Sequence, residues 1–298
     1  MSSARIAAQE VKNLTSDDLK ILTLLDKYLY RFEVFPKRTL EELTGFPSKY
    51  LDLLLSSLEA KKLISTQETP YPGVTLLTAG LDALALHALS TEDIVVSFGN
   101  LIGVGKESDI YDGLTSDGER VSLKFFRIGR ISFRDTLRKR SYTPPEGRAP
   151  WLLRCIKAAE KEFQALERLY GEGVSVPKPY GRNRHVVVME FLDGEIVAYS
   201  KGLINPRLVL ERALEIVEDA YRVGVVNGDL SAFNLFVTMD ERVLIIDWPQ
   251  WMERGKPGAD EKLYQDIKNL CLYFKRKYRV KVDPDRVYRR ITGVKGLR

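Results

Sequence analysis

The octet NGDLSAFN at residues 227–234 constrains the fold of this chain more than any other segment. It places Asp229 and Asn234 five positions apart in a loop, shortly before an apolar run at 243–246 that leads into Asp247. Phosphoryl transfer needs one carboxylate to take or orient a proton, an amide oxygen on magnesium, and a second carboxylate that bridges metal and phosphates. The order therefore predicts a kinase-like centre, with Asp229 and Asp247 catalytic and Asn234 and Asp247 as metal ligands.

A glycine-containing segment, GVGKESDIY at 103–111, lies between two runs with strand-like patterns. Glycines let the backbone approach phosphate oxygens closely, and a serine hydroxyl adds a hydrogen bond. Taken alone, the segment favours a plain hairpin turn, since it lacks the third glycine of a typical kinase loop. In its context we predict that it binds nucleotide through Gly103, Gly105, Lys106, Glu107 and Ser108.

A lysine on the return strand, Lys124, follows this segment in the sequence VSLK. A strand lysine of this kind neutralises nucleotide phosphates in protein kinases. A helix over 152–170 comes next, and Glu162 lies beside its apolar stripe. We therefore predict a Lys124–Glu162 ion pair, with Glu160 and Glu167 as the alternative partners.

Two strands, at 174–179 and 185–192, are expected to complete the same lobe. The second ends in Met189, Glu190 and Leu192, whose position relative to the other motifs predicts a hinge that binds the adenine edge through its backbone. The alternative is an ordinary strand end before the turn Asp193-Gly194. A helix over 206–223 then leads into the opening octet.

The first 90 residues have the element order of a winged helix. The third helix of such a domain reads nucleic acid in many proteins, but here its basic face is weak, so nucleic acid and a protein partner are both expected ligands. The predicted elements are helices at 17–29, 39–44 and 48–58, strands at 63–66 and 74–78, and a helix at 80–89 that leads into the next domain.

Positive charge is clustered within a modest net charge of +5. Residues 120–140 hold eight Lys and Arg against Asp135 alone, and residues 275–298 hold ten against Asp283 and Asp285. Such clusters favour a polyanion such as RNA, although two solvated helix faces would look the same.

Cysteine and histidine content excludes several other classes of protein. Cys155 and Cys271 lie far apart and the only histidines are His87 and His185, so neither a disulfide framework nor a zinc site is expected. No export signal or membrane segment is visible, because Asp82 and His87 interrupt the one long apolar stretch. We expect a cytoplasmic protein.

Three motifs together, GVGKESDIY at 103–111, NGDLSAFN at 227–234 and IDWPQ at 246–250, resemble the Rio family of atypical serine/threonine protein kinases. The likeness is to its second, winged-helix-bearing subgroup and covers nearly the whole chain. It implies an α+β fold in which a winged helix precedes a reduced bilobal protein-kinase-like fold. The implied domains are a winged helix with linker helix at 1–90, an N-lobe at 91–192 and a reduced C-lobe at 193–298.

The resemblance also implies chemistry: a kinase or ATPase that uses ATP with Mg2+ or Mn2+ and acts on the small ribosomal subunit precursor and its RNA. Ser108 and Lys124 would bind phosphates, and Asp247 would accept a phosphoryl group transiently. The basic stretch 130–150 matches the family's flexible loop above the nucleotide. The end of the chain at residue 298 suggests an archaeal member and favours ATP hydrolysis or self-phosphorylation over the processing of many peptides.

Two positions depart from the family pattern and keep alternatives open. Asn227 stands where His is usual, which bears on pH response and loop rigidity, and Trp248 stands where Phe is usual. Small-molecule kinases of the aminoglycoside and choline type share the loop pattern and often carry IDW. An inactive kinase fold serving as a ribosome-binding scaffold is the third reading.

Overall fold

The structure, a computed structural model, describes residues 1–128 and 151–293. It divides into two compact units, Met1–Ala159 with Gly181–Val188 and Glu160–Tyr180 with Met189–Arg298. The basic stretch 130–150 and much of the basic cluster at 120–140 therefore lie outside the described residues. The three-part division at 1–90, 91–192 and 193–298 stays a prediction.

The first unit begins with the winged helix, which confirms the expected order of three helices followed by a hairpin. A capping box starts the first of these helices, since the Thr15 side chain accepts from the Asp18 N–H and Asp18 accepts from the Thr15 N–H. Gly45, in the left-handed region at φ 70°, ends the next helix as expected. The elements are α1 (Ser3–Glu10), α2 (Ser16–Lys27), β1 (Phe35–Pro36), α3 (Lys37–Thr44), α4 (Ser48–Ala60), β2 (Ile64–Gln67), β3 (Gly73–Leu76) and α5 (Thr78–Thr91).

A five-stranded sheet follows the winged helix in the order β4-β5-β6-β8-β7. The rings of Phe98, Tyr111 and Phe125 contact one another within its core. The predicted strand at 174–179 is wrong, because the Val174 N–H closes the end of the preceding helix on the Leu169 carbonyl. The strands are β4 (Ser97–Val104), β5 (Ser108–Leu114), β6 (Arg120–Phe126), β7 (Pro179–Asn183) and β8 (Val186–Glu190).

A buried charged cluster joins α5 to this sheet within the first unit. Asp82 of α5 accepts from Arg127 Nη2 at 2.7 Å, and its other carboxylate oxygen lies 2.6 Å from His185 Nε2. The same Arg127 nitrogen donates to the Ser3 hydroxyl of α1 at 3.1 Å. Asp82 and His185 are fully buried, so the cluster fixes the register of α1 and α5 against the sheet.

The second unit is mostly helical. Helix α6 (Trp151–Gly171) crosses the unit boundary along the chain at residue 159, and the predicted helices at 152–170 and 206–223 are confirmed within a residue. The strands form a three-stranded sheet in the order β12-β11-β9 and the pair β10-β13. The remaining elements are β9 (Gly194–Ile196), α7 (Pro206–Arg222), β10 (Val225–Val226), β11 (Leu235–Thr238), β12 (Val243–Ile245), β13 (Met252–Glu253), α8 (Ala259–Tyr278) and α9 (Pro284–Thr292).

Both cysteine thiols are buried, Cys155 on α6 and Cys271 on α8. Burial raises the pKa of each thiol to about 11. Because the thiolate is the reactive form, both cysteines are poor nucleophiles at neutral pH. Over residues 1–128 and 151–293, none of the helices combines the length and the apolar character needed to cross a membrane.

Candidate active site

The glycine segment forms the tight connection between β4 and β5. The Gly105 N–H donates to the Ser108 carbonyl at 2.8 Å, and the Glu107 carbonyl accepts from the Arg127 N–H. A Cβ at Gly103 would meet Ile110 no closer than 3.6 Å, which is ordinary contact, and the Gly103 φ is not positive. The fold itself thus does not require glycine at 103, which is consistent with a glycine kept for the close approach of a ligand. Gly105, Lys106 and Glu107 are exposed, and Ser108 is half-buried.

The predicted phosphate-binding lysine lies on the central strand β6. Lys124 is 6% exposed and faces Ile110 of β5 in the sheet register. Its ammonium lies 4.9 Å from the centre of the Phe126 ring, which stabilises the cation beside an aromatic face. The position of Lys124 on a strand confirms the expected return strand, and its role toward phosphates stays a prediction.

Glu162 is the buried glutamate among the three candidates on α6. It is fully buried, whereas Glu160 and Glu167 are exposed. It falls on the buried stripe of the helix, while the next residue, Phe163, is only half-buried. Lys124 belongs to the first unit and Glu162 to the second, and their ion pair stays a prediction.

The predicted hinge begins within β8, whose last two residues are Met189 and Glu190. Met189 is buried, and the Glu190 carboxylate accepts from the Lys178 N–H at 3.2 Å and from Arg242 Nη2 at 2.9 Å. The Glu190 N–H donates to the Lys178 carbonyl at 2.8 Å. These bonds hold the hinge strand and turn the Glu190 side chain toward Arg242, so any role toward an adenine edge falls to its backbone carbonyl and to Leu192.

The predicted catalytic loop at 227–234 is braced by Asn227. Its amide nitrogen donates to the Asp247 carbonyl at 2.7 Å, and its amide oxygen accepts from the Asp229 N–H at 3.2 Å. Asn227 is buried and Asp229 is exposed. The asparagine therefore links the backbone of Asp229 to the backbone of Asp247, the two predicted catalytic residues, by uncharged hydrogen bonds.

The structure brings the two predicted metal ligands together. Asn234 Nδ2 lies 3.4 Å from Asp247 Oδ2, and Asn234 Oδ1 accepts from the Ser231 N–H and hydroxyl at 2.9 Å each. An amide oxygen and a carboxylate are hard donors that suit Mg2+, which takes one or two protein ligands together with substrate phosphates and water. The residues fit such an ion once the Asn234 amide rotates its oxygen toward Asp247.

Asp266 of α8 is a site residue that the sequence analysis missed. Its two carboxylate oxygens accept from the Gly228 N–H at 2.7 Å and the Leu230 N–H at 2.8 Å, on either side of Asp229. Gly228 makes this approach in the left-handed region at φ 81°. Burial raises the pKa of Asp266 to about 6, although the two N–H donors oppose the rise. In the sequence, this role was indicated by the position of Asp266 among the apolar residues that form the buried stripe of α8.

The free energy of unfolding is expected to change with pH as Asp266 titrates. Its folded pKa of about 6 exceeds an unfolded value of about 3.9, so protonation favours the folded state. As the pH falls from 7.5 to 4, the wild type is expected to gain about 2 kcal/mol relative to Asp266→Asn, which carries no titrating group there. Urea unfolding across this range measures the gain. Glu261→Gln, an exposed substitution on the same helix, is the control, and a pH-independent difference between wild type and Asp266→Asn contradicts the assignment.

Two family models match the chain. The model described as RIO domain matches residues 109–287, and the model described as Rio2, N-terminal, matches residues 11–92. The two matched ranges contain the kinase-like elements and the winged helix respectively.

Similar proteins cover most of the chain. Serine/threonine-protein kinase RIO2 of Caenorhabditis elegans is 32% identical over 275 residues, which are 92% of this chain and 52% of that protein. RIO-type serine/threonine-protein kinase Rio2 of Methanocaldococcus jannaschii is 36% identical over 232 residues, 74% of this chain and 84% of that protein. This chain therefore spans about half the length of the nematode relative and most of the archaeal one.

The fold is also similar to a solved structure, the Rio2 kinase of Chaetomium thermophilum in an ADP/Mg2+-phosphoaspartate complex. The TM-score is 0.82 at 28% sequence identity, with 96% of this chain and 88% of that chain covered.

Proposed function

The chain belongs to the RIO family of serine/threonine-protein kinases, with the N-terminal domain of its Rio2 branch, and we propose that it hydrolyses or transfers the γ-phosphoryl group of ATP in small ribosomal subunit maturation. The observation that carries the proposal is the hydrogen-bonded group of Asn227, Asp229, Asn234 and Asp247. It supplies a base, an amide oxygen and a second carboxylate in the order that phosphoryl transfer requires.

Each residue has a separate role in the proposed reaction. Asp247 attacks the γ-phosphorus, an oxygen–phosphorus bond forms, and the bond to the bridging oxygen breaks as ADP leaves with the electron pair. Asp229 then takes the proton of the attacking water, or of a serine or threonine hydroxyl, which releases or accepts the phosphoryl group. Mg2+ held by Asn234 and Asp247 would neutralise the phosphate charge. The phosphoaspartate complex of the Chaetomium protein supports the covalent step.

On the other unit, Lys124 and the segment 103–108 are assigned to the nucleotide phosphates. A buried ammonium on a rigid strand keeps its position better than an exposed lysine does, which supports this assignment for Lys124. Lys106 and Glu107 are assigned to the phosphates as well, because they lie within the glycine segment 103–108.

Exposed basic residues on the second unit support an RNA partner. They lie at the end of α8, in the link between α8 and α9, and on α9, namely Lys275, Arg276, Arg279, Lys281 and Arg286. Such a cluster gains affinity for RNA phosphates by releasing counterions. The winged helix offers less, because Lys61 of the basic face pairs with buried Asp18 at 3.3 Å, so a protein partner stays open for that domain. We place this activity in the cytoplasm, where both buried thiols stay reduced.

The proposal is tested by measuring Mg2+-dependent ATP turnover of the wild type and Asp229→Ala, with small-subunit RNA, with choline or kanamycin, and with neither. We expect turnover by the wild type that RNA stimulates and that Asp229→Ala loses. Stimulation by the small alcohols alone would favour a small-molecule kinase. Nucleotide binding without turnover in either protein would leave only a scaffold.

A further inference from the structure

Beside the catalytic loop two aromatic side chains stand exposed in contact with each other. Phe233 directly precedes Asn234 and is 58% exposed, and Tyr199 is 71% exposed. Their ring centroids lie 5.6 Å apart at an interplanar angle of 73°. Single exposed apolar residues are ordinary on a protein surface, but two that touch beside a catalytic residue mark a candidate interaction site.

The backbone fixes both rings relative to the catalytic loop. The Ala198 N–H donates to the Ala232 carbonyl at 3.1 Å, and the Val197 N–H donates to the Leu235 carbonyl at 2.9 Å. The Phe233 N–H donates to the Ser231 hydroxyl at 3.3 Å. The segment that carries Tyr199 is therefore bonded to the loop that carries Asp229, Phe233 and Asn234, which preorganises the two rings for binding.

Helix α8 reinforces the segment that carries Tyr199. Lys277 Nζ donates to the carbonyls of Val197 at 3.4 Å and Ser200 at 2.8 Å, and the Tyr273 hydroxyl donates to the Val197 carbonyl at 3.1 Å. These bonds occupy the Lys277 ammonium, so it is not offered to a phosphate. Along the two segments that carry the rings, the nearest charged residues are Asp229 and Lys201, and both are exposed.

Resting on the kinase function proposed above, we propose that Phe233 and Tyr199 form a subsite for an apolar or aromatic side chain of a protein substrate, close to the serine or threonine that accepts the phosphoryl group. The acceptor oxygen must lie within hydrogen-bond reach of Asp229. Four residues span at most about 14 Å, so an extended substrate reaches the Phe233 ring within about four positions of the acceptor. A nucleobase stacked on the rings would bring its phosphates toward the exposed Asp229 carboxylate, whose negative charge repels them, so a protein side chain is the favoured occupant.

The subsite is tested with serine peptides in which one position from −4 to +4 is varied among Phe, Leu, Arg and Glu, with radiolabelled Mg-ATP. The wild type is expected to favour Phe or Leu over Arg about tenfold at one position, as burial of such a side chain allows. Phe233→Glu is expected to reverse the preference toward Arg at that same position, and Tyr199→Ala to weaken it. Ratios between peptides are compared within each variant, so a general change in activity cancels.

Met239→Glu is the matched control, because Met239 is a 78% exposed residue of the β11–β12 turn in the same unit. It should keep the wild-type preference. An unchanged preference in Phe233→Glu overturns the proposal, as does ATP hydrolysis without transfer to any peptide, which leaves the proposed ATPase standing. Loss of poly(U) binding in Phe233→Glu with unaltered peptide ratios would assign the rings to a nucleobase instead. Absence of all ATP turnover would remove the proposed function and the subsite with it.

Discussion

Replacing Asp247 by asparagine is expected to lower Mg2+-dependent ATP turnover by about 10³-fold, or ~4 kcal/mol in the barrier. The amide is nearly isosteric with the carboxylate and keeps the Asp247 backbone carbonyl that accepts from Asn227. It lacks the negative charge that holds the cation and the oxygen that attacks the γ-phosphorus. The loss should therefore appear in chemistry rather than in folding, as measured by turnover beside thermal unfolding.

The same variant tests the covalent step. Acid-quenched wild-type protein should retain a radiolabel from γ-labelled ATP that hydroxylamine removes, as an acyl phosphate requires, and Asp247→Asn should retain none. Asp240→Asn, an exposed carboxylate-to-amide change in the β11–β12 turn, is the control and should match the wild type. Normal turnover in Asp247→Asn would refute its assignment, and a label that persists there would place the acceptor elsewhere.

Replacing Arg127 by methionine is expected to destabilise the first unit by about 3–5 kcal/mol. Asp82 is fully buried and Arg127 is 4% exposed, so the variant leaves a buried carboxylate without its guanidinium partner. Urea unfolding at pH 7 measures the loss. The control is Arg120→Met at the start of β6, the strand that Arg127 directly follows; its 2.7 Å pair with Asp112 is exposed on the arginine side and should be worth about 1 kcal/mol or less.

The stability that ionised Asp82 contributes is expected to fall as the pH falls. Burial opposes ionisation of Asp82, but Arg127 and His185 together hold its pKa below the ordinary value. In the wild type this contribution is present above the unfolded pKa of about 3.9 and is lost as the pH falls through the lower folded value. In Arg127→Met burial dominates, so acidification toward pH 4 should recover stability. A loss like that of Arg120→Met, or no recovery in acid, would show that the cluster contributes little.

Most of the regular structure could be predicted from periodicity. Helices α2, α6 and α7 have apolar stripes at helical spacing, and the structure places them within two residues of their predicted ends. Helix α1 was missed because it buries only the small side chains of Ala4 and Ala7, which give no strong stripe. The false strand at 174–179 arose from Val174 and Val176, which alternate as in a strand but are buried in a turn beyond α6.

The active-site residues nearest in sequence were the easiest to predict. Asp229, Asn234 and Asp247 lie within one loop and the following strand, so their spacing alone conveys their relation. Asp266 reaches the loop from a helix that starts after it, and only the tertiary fold brings its carboxylate to the N–H groups on either side of Asp229. Likewise, Asp82 was visible in sequence as a break in an apolar stretch, but its partner Arg127 was not.

Because the Asn227 side chain does not titrate, the hydrogen bonds that align the loop do not depend on pH. An imidazole at this position would gain or lose a charge near neutral pH, whereas the carboxamide that links the Asp229 N–H to the Asp247 carbonyl has no such transition. The rate of this protein as a function of pH is therefore free of any titration by a histidine in the loop. An inflection near pH 6 in that profile would report the ionisation of Asp266, which lies beneath the loop.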